Sequence, residues 1–309
     1  MQKELNTISN SHKNKIKIGA DTVAINTIGG IFIAVLAFLA LVPFIMVLSG
    51  SLSSESAVVT SGYSVFIKKL SFDSYKFLFS QPKQIFDGYK VTIILVAVGT
   101  LVSLNIITMT AYVISRKDFE ARNKLSFFFY FTTLFNGGMV ATYVFMIRYL
   151  HLKDTYIALI LPHIMNVFYL MTMRSFISIT VPPSIVESAK IDGANDFIIY
   201  VKVVFPLLKP ALASIGLFIF LSYWNDWYNA MLYINTQEKM PIQYVLYKTI
   251  NAAENYEKVA GLTGISDVTM PAETTKLAMT VLVTFPIVFA YPFVQKYFVK
   301  GIMVGAVKG

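Results

Sequence analysis

The chain has 309 residues, of which 56% are hydrophobic and 14% are charged, and its mean hydropathy is +0.62. An ordinary soluble domain is about 25% charged, so this composition excludes a soluble globule and predicts an integral membrane protein. The absence of cysteine excludes a disulfide scaffold, a thiolate metal site and a thiol nucleophile. The net charge of +9 would suit nucleic-acid binding in a soluble protein, but here it must first be divided between the two sides of a membrane.

Six apolar runs are long enough to be transmembrane helices, since about 20 apolar residues cross about 30 Å of hydrocarbon. They cover residues 23–49, 91–115, 126–147, 155–173, 207–234 and 277–294. The first run follows a 22-residue polar stretch and is longer than a signal-peptide core, so it predicts an uncleaved anchor. The expected fold class is an all-α integral membrane protein with six transmembrane helices.

The distribution of Lys and Arg predicts that both termini are cytoplasmic. In this orientation 15 of the 26 basic residues lie in cytoplasmic segments, and nine of the other 11 lie in two long external loops, 50–90 and 235–276. Long loops follow the positive-inside rule least. The basic excess is thereby explained without a nucleic-acid partner. The chain divides into a basic cytoplasmic tail (1–22), a first helix with its external loop (23–89), a core (90–296) and a C-terminal cytoplasmic tail (297–309).

The sequence lacks the motifs of an enzyme site. It has no G-x-x-x-x-G-K-[ST] loop to cradle nucleotide phosphates and no histidine cluster at metal-ligand spacing. His163, which follows Pro162 in the fourth span, is predicted to be a packing residue. Asp226 is the one carboxylate within a predicted span, whereas a proton-coupled carrier needs several charged groups there. We therefore expect no catalytic residue, no metal site and no cofactor bound by this chain.

Residues 179–206, between the fourth and fifth spans, carry a helix–turn–helix pattern. Pro182-Pro183 ends the incoming helix, and Ser184-x-x-Glu187 is a capping-box pattern that predicts a short helix from Ser184. Gly193 is suited to end that helix with a positive φ. A second helix is expected from Asn195 or Asp196 to Pro206. From the residues alone this segment is either an amphipathic loop on the bilayer surface or a lever that docks in another protein.

The same segment resembles the E-A-A-x3-G-x9-I-x-L-P loop of permease subunits of bacterial ABC importers. The matching residues are Glu187-Ser188-Ala189, Gly193 and Val203-Val204-Phe205-Pro206, at the same spacing. Residues 135–143, 222–230 and 291–309 are similar to the carbohydrate branch of that family, specifically to the smaller permease of maltose-type transporters. The resemblance implies the transmembrane domain of a type I ABC importer in a bacterial plasma membrane.

By this resemblance the loop is a coupling helix that enters a cleft on a separate ATPase subunit. The implied contact residues are Glu187, Ser188, Ala189, Asp192, Gly193 and Ala194, and a C-terminal tail with Gly305, Lys308 and Gly309 reaches between the ATPases. ATP and Mg²⁺ are expected on that partner. The other implied partners are a second homologous permease, two copies of the ATPase in total, an extracellular solute-binding lipoprotein, the carbohydrate and membrane lipid.

The run 224–229 is the candidate substrate path. If it is helical, Trp224, Trp227, Tyr228 and Met231 share one face, while Asn225, Asp226 and Asn229 lie mostly on another. Aromatic faces stack on sugar rings, and amides and carboxylates bond their hydroxyl groups. The alternative is an aromatic belt at the outer membrane surface.

Two further features stay open at this level. Asn136-Gly137-Gly138, inside the third span, indicates either close helix packing or a break that exposes backbone. The acids Glu254, Glu257, Asp267 and Glu273 in the second external loop suit docking of the binding lipoprotein, although a solvated loop has the same composition.

The function expected is a permease subunit that imports a carbohydrate, specifically an oligosaccharide, driven by ATP hydrolysis on its partner. The alternatives are an importer of another solute, such as amino acids or peptides, an ion-coupled carrier, and a membrane-anchored assembly protein.

Overall fold

The structure, a computed structural model, describes residues 20–263 and 271–306, and this part of the chain is helical without β-strands. Its helices are α1 (Ala20–Ser51), α2 (Glu55–Ser61), α3 (Asp73–Leu78), α4 (Pro82–Ser115), α5 (Arg122–Leu134), α6 (Gly138–Val144), α7 (Tyr156–Ile160), α8 (Val167–Thr180), α9 (Pro183–Ile191), α10 (Asp196–Ile199), α11 (Phe205–Leu207), α12 (Lys209–Trp224), α13 (Tyr228–Tyr233), α14 (Ile242–Thr263) and α15 (Ala272–Ala306). A π-helical turn (Phe145–Tyr149) extends α6 and another (Tyr200–Val204) joins α10 to α11, while 3-10 turns follow α7 (Leu161–His163) and precede α14 (Gln237–Lys239).

Within the described residues, three single helices are long and apolar enough to cross a membrane: Ala24–Ser51, Pro82–Ser115 and Ala272–Phe289. Three bent pairs of helices bring the number of candidate spans to six, if each pair is one span. The pairs are Arg122–Leu134 with Gly138–Tyr149, Tyr156–His163 with Val167–Thr180, and Asp196–Leu207 with Lys209–Trp224. The predicted all-α fold with six spans is confirmed, and the orientation of the termini stays a prediction.

The core lies around α4, which packs against α8, α12 and α14. Buried apolar side chains from four helices meet there, among them Ile107, Leu170, Ile215 and Met279. Gly99 on α4 allows a close approach, because a Cβ at this position would lie 2.6 Å from the ring of Tyr223. The Tyr223 hydroxyl is 2.9 Å from Ser103 Oγ on α4 and donates to the carbonyl of Ile160, at 3.0 Å. Packing and hydrogen bonding therefore fix α12 against both α4 and α7.

Helix α1 is almost entirely exposed within this chain and packs mainly against α15. Ile28, Phe32 and Phe38 are all more than half exposed. A helix that is hydrophobic all round is stable only when lipid or another apolar surface covers it. Lipid or a partner subunit therefore covers most of α1.

The third predicted span is broken in the middle. Helix α5 ends at Leu134 and α6 begins at Gly138 after a bend of 112°. Gly138 has φ of +85° and its amide donates to the Asn136 side chain at 2.8 Å. Among the described residues, no atom of another helix lies within 4 Å of a Cβ added at Gly137 or Gly138. The close-packing interpretation of this motif was wrong, and its glycines instead form the break.

The two long loops predicted to be external fold back onto the core. The carboxylate of Glu55, at the start of α2, accepts the backbone amides of Glu273 and Thr274 at 2.9 Å each. It thereby caps the N-terminus of α15, where a negative charge also complements the helix dipole. Glu273 itself is bound by Tyr63 and Lys276, so it holds the loop together. Asp267 and the Glu257 side chain lie outside the described part.

A second set of hydrogen bonds joins the 148–154 segment to the residues after α13. The carboxylate of Asp154 accepts the amides of Asn235 and Thr236 at 3.0 Å and the ammonium of Lys239 at 2.9 Å. Burial acts to raise the pKa of Asp154, but the hydrogen bonds from Thr236, Lys239 and Asn235 hold it well below its ordinary value. The carboxylate is therefore ionised whenever the fold is intact near neutral pH.

Candidate coupling surface and substrate path

Helix α9 begins differently from the predicted capping box. Pro183 is its first residue and Pro182 its N-cap, with no side-chain cap. Ser184 therefore lies inside the first turn, where its carbonyl accepts the Ser188 hydroxyl at 2.9 Å. Proline at the first helical position has no amide to leave unsatisfied, which is why the diproline itself starts the helix. The capping-box prediction was wrong: the helix begins one residue earlier than predicted, and proline rather than a serine cap starts it.

The end of α9 is a Schellman motif built on Gly193. Gly193 has φ of +80°, as predicted. The amide of Ala194 donates to the carbonyl of Ala189, and the amide of Gly193 donates to that of Lys190, both at 3.0 Å. These are the two reversed bonds of that motif. The turn fixes where the chain leaves α9.

The second helix begins as predicted. Asn195 is the N-cap of α10 and its side chain accepts the Ile198 amide at 2.8 Å. The helical path continues through the π-helical turn and past Pro206, which lies near the start of α11. The chain bends by 82° only after Leu207, so the predicted break at Pro206 was slightly early.

A network of ion pairs ties α9 and α10 to the loop after α4. Arg116 forms a bidentate ion pair with Asp118 and also pairs with Asp196, at 2.6 Å. Lys190 pairs with Asp118 at 2.8 Å. The hydrogen bonds from Arg116 and Lys190 hold the pKa of the Asp118 carboxyl well below its ordinary value. Asp196 begins α10 and Lys190 is in the last turn of α9, so both short helices are held to the end of a long one.

The two faces of α9 differ. Val186 and Ala189 pack inward, against the same core as Ala194, whereas Glu187 and Ser188 are exposed. Ala189 therefore supports α9 from beneath. Ile191 is 86% exposed, an apolar side chain that nothing in the described chain covers.

Sequence reasoning missed Ile191 and also Phe197, which is 65% exposed on the adjoining α10. The exposure of Ile191 can be derived once the inward positions of α9 are known. In a helix whose inward positions are Val186 and Ala189, Ile191 falls off the buried stripe.

The candidate substrate path contains a second break. Helix α12 ends at Trp224 and α13 begins at Tyr228, with Asn225 as the C-cap of α12. The predicted common helical face of Trp224, Trp227 and Tyr228 is therefore wrong. Trp224 is 5% exposed and stacks on Phe220 with ring centroids 6.0 Å apart, so its side chain belongs to the core.

Asp226 is the centre of the break. Its side chain is 8% exposed and accepts from the amide and the side chain of Asn229, at 3.0 Å and 2.9 Å. The Nε2 atom of His163 lies 2.9 Å from the same carboxylate. Because a carboxylate only accepts, Nε2 carries the proton of this bond. The His163 ring also packs edge-on against Tyr223, as expected of a packing histidine.

Three members of the run are more accessible than Trp224 and Asp226. Asn225 and Tyr228 are exposed, and Trp227 is half-buried. Trp227 stacks on Tyr247 of α14 with centroids 4.4 Å apart. The exposed side chains of Asn225 and Tyr228 thus flank Trp227 in the sequence, and the ring of Trp227 is held by Tyr247.

The C-terminal residues are described only in part. Helix α15 runs to Ala306 and includes Gly305, whereas Lys308 and Gly309 lie outside the described residues. In the part that is described, no group of three or more His, Cys, Asp or Glu side chains is placed to hold a metal ion.

Comparison with known proteins places the chain among carbohydrate transporters. No protein-family model matches it. It is 37% identical to the polygalacturonan/rhamnogalacturonan transport system permease protein YtcP of Bacillus subtilis, over 90% of this chain and 96% of that one. It is 34% identical to the protein LplC of the same organism, over 99% of both chains.

A solved structure has the same fold. It is a bacterial ABC transporter involved in the import of the acidic polysaccharide alginate, and the match has a TM-score of 0.76 and 32% identity. It covers 91% of this chain and 98% of that one.

Proposed function

We infer how this chain works from its family: it belongs to the permease subunits of carbohydrate ABC importers. It is a multi-pass membrane protein and a transport subunit, and the solute is a carbohydrate. The alternatives of an amino-acid or peptide importer, an ion-coupled carrier and a non-transporting assembly protein are disfavoured by its relatives. The finer points below are proposals.

We propose that α9 is the coupling helix and docks in a cleft on a separate ATPase, which binds ATP and Mg²⁺. Glu187 and Ser188 supply polar contacts and Ile191 an apolar anchor. The support is mechanical: Val186 and Ala189 pack inward, Gly193 fixes the exit, and Asp118 joins Lys190 to Arg116 at the end of α4. A displacement of α9 is thus transmitted to the helix at the centre of the core. Both termini and α9 are then cytoplasmic.

The rest of the complex follows the family. A second homologous permease covers part of α1, whose apolar side chains are exposed in this chain. Two ATPase copies dock on the two permeases, with the C-terminal tail (Gly305, Lys308, Gly309) between them. An extracellular lipoprotein delivers the sugar to the folded loops, where the exposed Glu254 is a contact candidate.

The substrate path is proposed to pass the break between α12 and α13. Asn225 and Tyr228 are exposed, Trp227 is stacked from behind by Tyr247, and Asp226 and Asn229 bond each other. The first three are the candidates for direct contact with sugar. Asp226 and Asn229 hold the break, and Trp224 supports it from the core.

The substrate is proposed to be an acidic oligosaccharide. The solved transporter imports an acidic polysaccharide and YtcP is named for polygalacturonan, a polymer of galacturonic acid. The arabinooligosaccharide permease AraQ of B. subtilis, named for neutral sugars, is less similar, at 27% identity.

One experiment tests the function and the mechanism together. The complex, purified through a tag on this chain, is reconstituted with its binding protein, and uptake and ATP hydrolysis are measured with oligogalacturonides, maltooligosaccharides and a dipeptide. Oligogalacturonides should be taken up and should stimulate hydrolysis. Uptake of maltooligosaccharides alone would contradict the proposal of an acidic substrate but would leave the assignment as a carbohydrate importer intact.

The coupling role is tested in the same vesicles. Glu187→Ala and Ile191→Ser should lower uptake and substrate-stimulated hydrolysis without loss of assembly. Asp21→Ala, at an exposed acid in the first turn of α1 far from α9 in sequence, is the matched control. Full uptake in both α9 variants would contradict the proposed docking.

A further inference from the structure

A cavity of about 480 Å³ lies beside α9, and the function proposed above assigns it no ligand. Its walls come from the end of α4 and the loop that follows, from the start of α5, from the last turns of α8 and from α9. Ile177, Val181 and Val186 form its apolar part. The volume is in the range of pockets that enclose small ligands.

The lining of this cavity is strongly basic. It contains Arg116, Lys117, Arg122, Arg174 and Lys190, against only two acids, Asp118 and Glu187. Asp118 is already neutralised by Arg116 and Lys190. Among the described residues no carboxylate forms an ion pair with the other three basic side chains. Arg122 and Arg174 are moreover half-buried, and a partly desolvated cation is stabilised by an anion.

Tyr112 provides a second, independent sign of a ligand. It lines the cavity and is 5% exposed, and its hydroxyl has no hydrogen-bond partner in the part of the chain that the structure describes. Buried hydroxyl groups are nearly always paired. Tyr112 thus lies in the cavity wall with an unpaired hydroxyl in the described part of the chain, and Arg122 and Arg174 line the same cavity without an ion-pair partner there.

The position of α5 indicates what kind of anion this is. Arg122, at the cavity, is the first residue of α5, and this helix then enters a candidate membrane span. Leu125, on the same side of α5 as Arg122, is 37% exposed, and Phe127 and Phe128, on the other sides of this helix, are more than half exposed. At 1.5 Å per residue the two phenylalanines lie about 8–9 Å deeper than Arg122. A ligand with an anionic head and an apolar chain matches this succession, whereas free phosphate uses only the basic end.

We propose that the cavity binds the phosphodiester headgroup of an acidic phospholipid, with its acyl chains among the exposed apolar side chains of α5. Arg122 and Arg174 bond the phosphate oxygens. Because α9 forms one wall, a bound lipid braces the coupling helix against α8 and α4. The inference needs only that α5 and α8 cross the bilayer, so it does not rest on which ATPase or sugar the complex uses.

Native mass spectrometry of the intact purified complex tests the site. Phosphatidylglycerol and phosphatidylcholine are offered in equal amounts, and the lipid that stays bound is counted for the wild type, for Arg122→Gln/Arg174→Gln and for Arg148→Gln, an exposed arginine outside the cavity. The double variant should lose affinity for phosphatidylglycerol on the order of tenfold or more. The Arg148 variant should retain wild-type affinity, and Arg122→Lys/Arg174→Lys should retain an intermediate one.

The outcomes separate the alternatives. Displacement of bound phosphatidylglycerol by inorganic phosphate would show a free-anion site and overturn the lipid proposal. Equal retention of phosphatidylglycerol by the wild type and the double glutamine variant would overturn the site altogether. If the double variant does not assemble, the two single glutamine variants are measured instead, and each should retain less phosphatidylglycerol than the wild type. Unchanged retention in both single variants would also overturn the site.

Discussion

The break between α12 and α13 and the surface around α9 both hold polar side chains together, but water reaches them to different extents. At the break, the carboxylate of Asp226 is 8% exposed and accepts from His163 and Asn229. Beside α9, the carboxylate of Asp118 is 51% exposed and pairs with Arg116 and Lys190. A buried network stabilises strongly and costs much to break, whereas exposed ion pairs contribute little. The break between α12 and α13 is therefore the more rigid region, whereas the ion pairs beside α9 orient this helix and stabilise the fold little.

The largest effect is expected at Asp226. Asp226→Ala leaves His163 and both the side chain and the backbone amide of Asn229 without their common acceptor, and should lower the free energy of unfolding by about 3 kcal/mol. The thermal midpoint of the purified complex in detergent is the measurement. Asp226→Asn keeps one acceptor oxygen and should lose less, and Asn225→Ala, at an exposed neighbour, should change the midpoint little. Equal midpoints for Asp226→Ala and Asn225→Ala would remove the contrast between the two regions.

Packing behind the break gives the next effect. Gly99→Ala places a Cβ 2.6 Å from the Tyr223 ring, which carries His163 on its edge. Overpacking of this kind costs about 1–3 kcal/mol. The matched control is Gly216→Ala on α12, whose Cβ would meet Leu104 at an ordinary 3.5 Å. The first variant should lower the thermal midpoint and the second should not. A midpoint lowered equally by both would mean that helix flexibility, and not the contact with Tyr223, is responsible.

Gly193 tests orientation rather than rigidity. At φ of +80°, Gly193→Ala strains the backbone by about 1–2 kcal/mol and Gly193→Pro also removes the amide bonded to Lys190. Asparagine tolerates this conformation, so Gly193→Asn is the control. We expect uptake per ATP hydrolysed to be highest in Gly193→Asn, lower in Gly193→Ala and lowest in Gly193→Pro. All three variants should still assemble. Uptake that follows thermal stability alone would assign Gly193 to the fold.

The sequence was sufficient for the spans and for the turns that glycine or a cap determines. Uninterrupted apolar runs predicted α1, α4 and α15, because hydrophobic length is a local property. Gly193 and Asn195 were also placed correctly, since their roles depend on the nearest few residues. The predictions failed where the interior of a span is polar or flexible. Nothing local shows whether Asn136-Gly137-Gly138 packs a helix or breaks one.

The candidate site shows the same division. Trp224 and Trp227 look equivalent in sequence, yet one stacks on Phe220 in the core and the other on Tyr247 of a distant helix. The pairing of Asp226 with His163 joins residues 63 positions apart and depends on how α7 meets α12. Likewise Ile191 is recognised as exposed only after Val186 and Ala189 are known to face inward. Tertiary packing, which no local pattern contains, decides each of these cases.

The smallest effect is expected where Asp118 joins Lys190. Both side chains are about half exposed, so a double-mutant cycle with Asp118→Ala and Lys190→Ala should give a coupling of about 0.5–1 kcal/mol. The pKa of Asp118 is lowered in the folded state, so its contribution is complete above its unfolded pKa and is lost only as the pH falls through the lower folded value. The coupling should therefore be constant between about pH 5 and 8. It should also weaken with salt, because exposed pairs are screened. A coupling that exceeds the effect of Asp226→Ala would reverse the comparison and make the α9 surface the rigid part of the molecule.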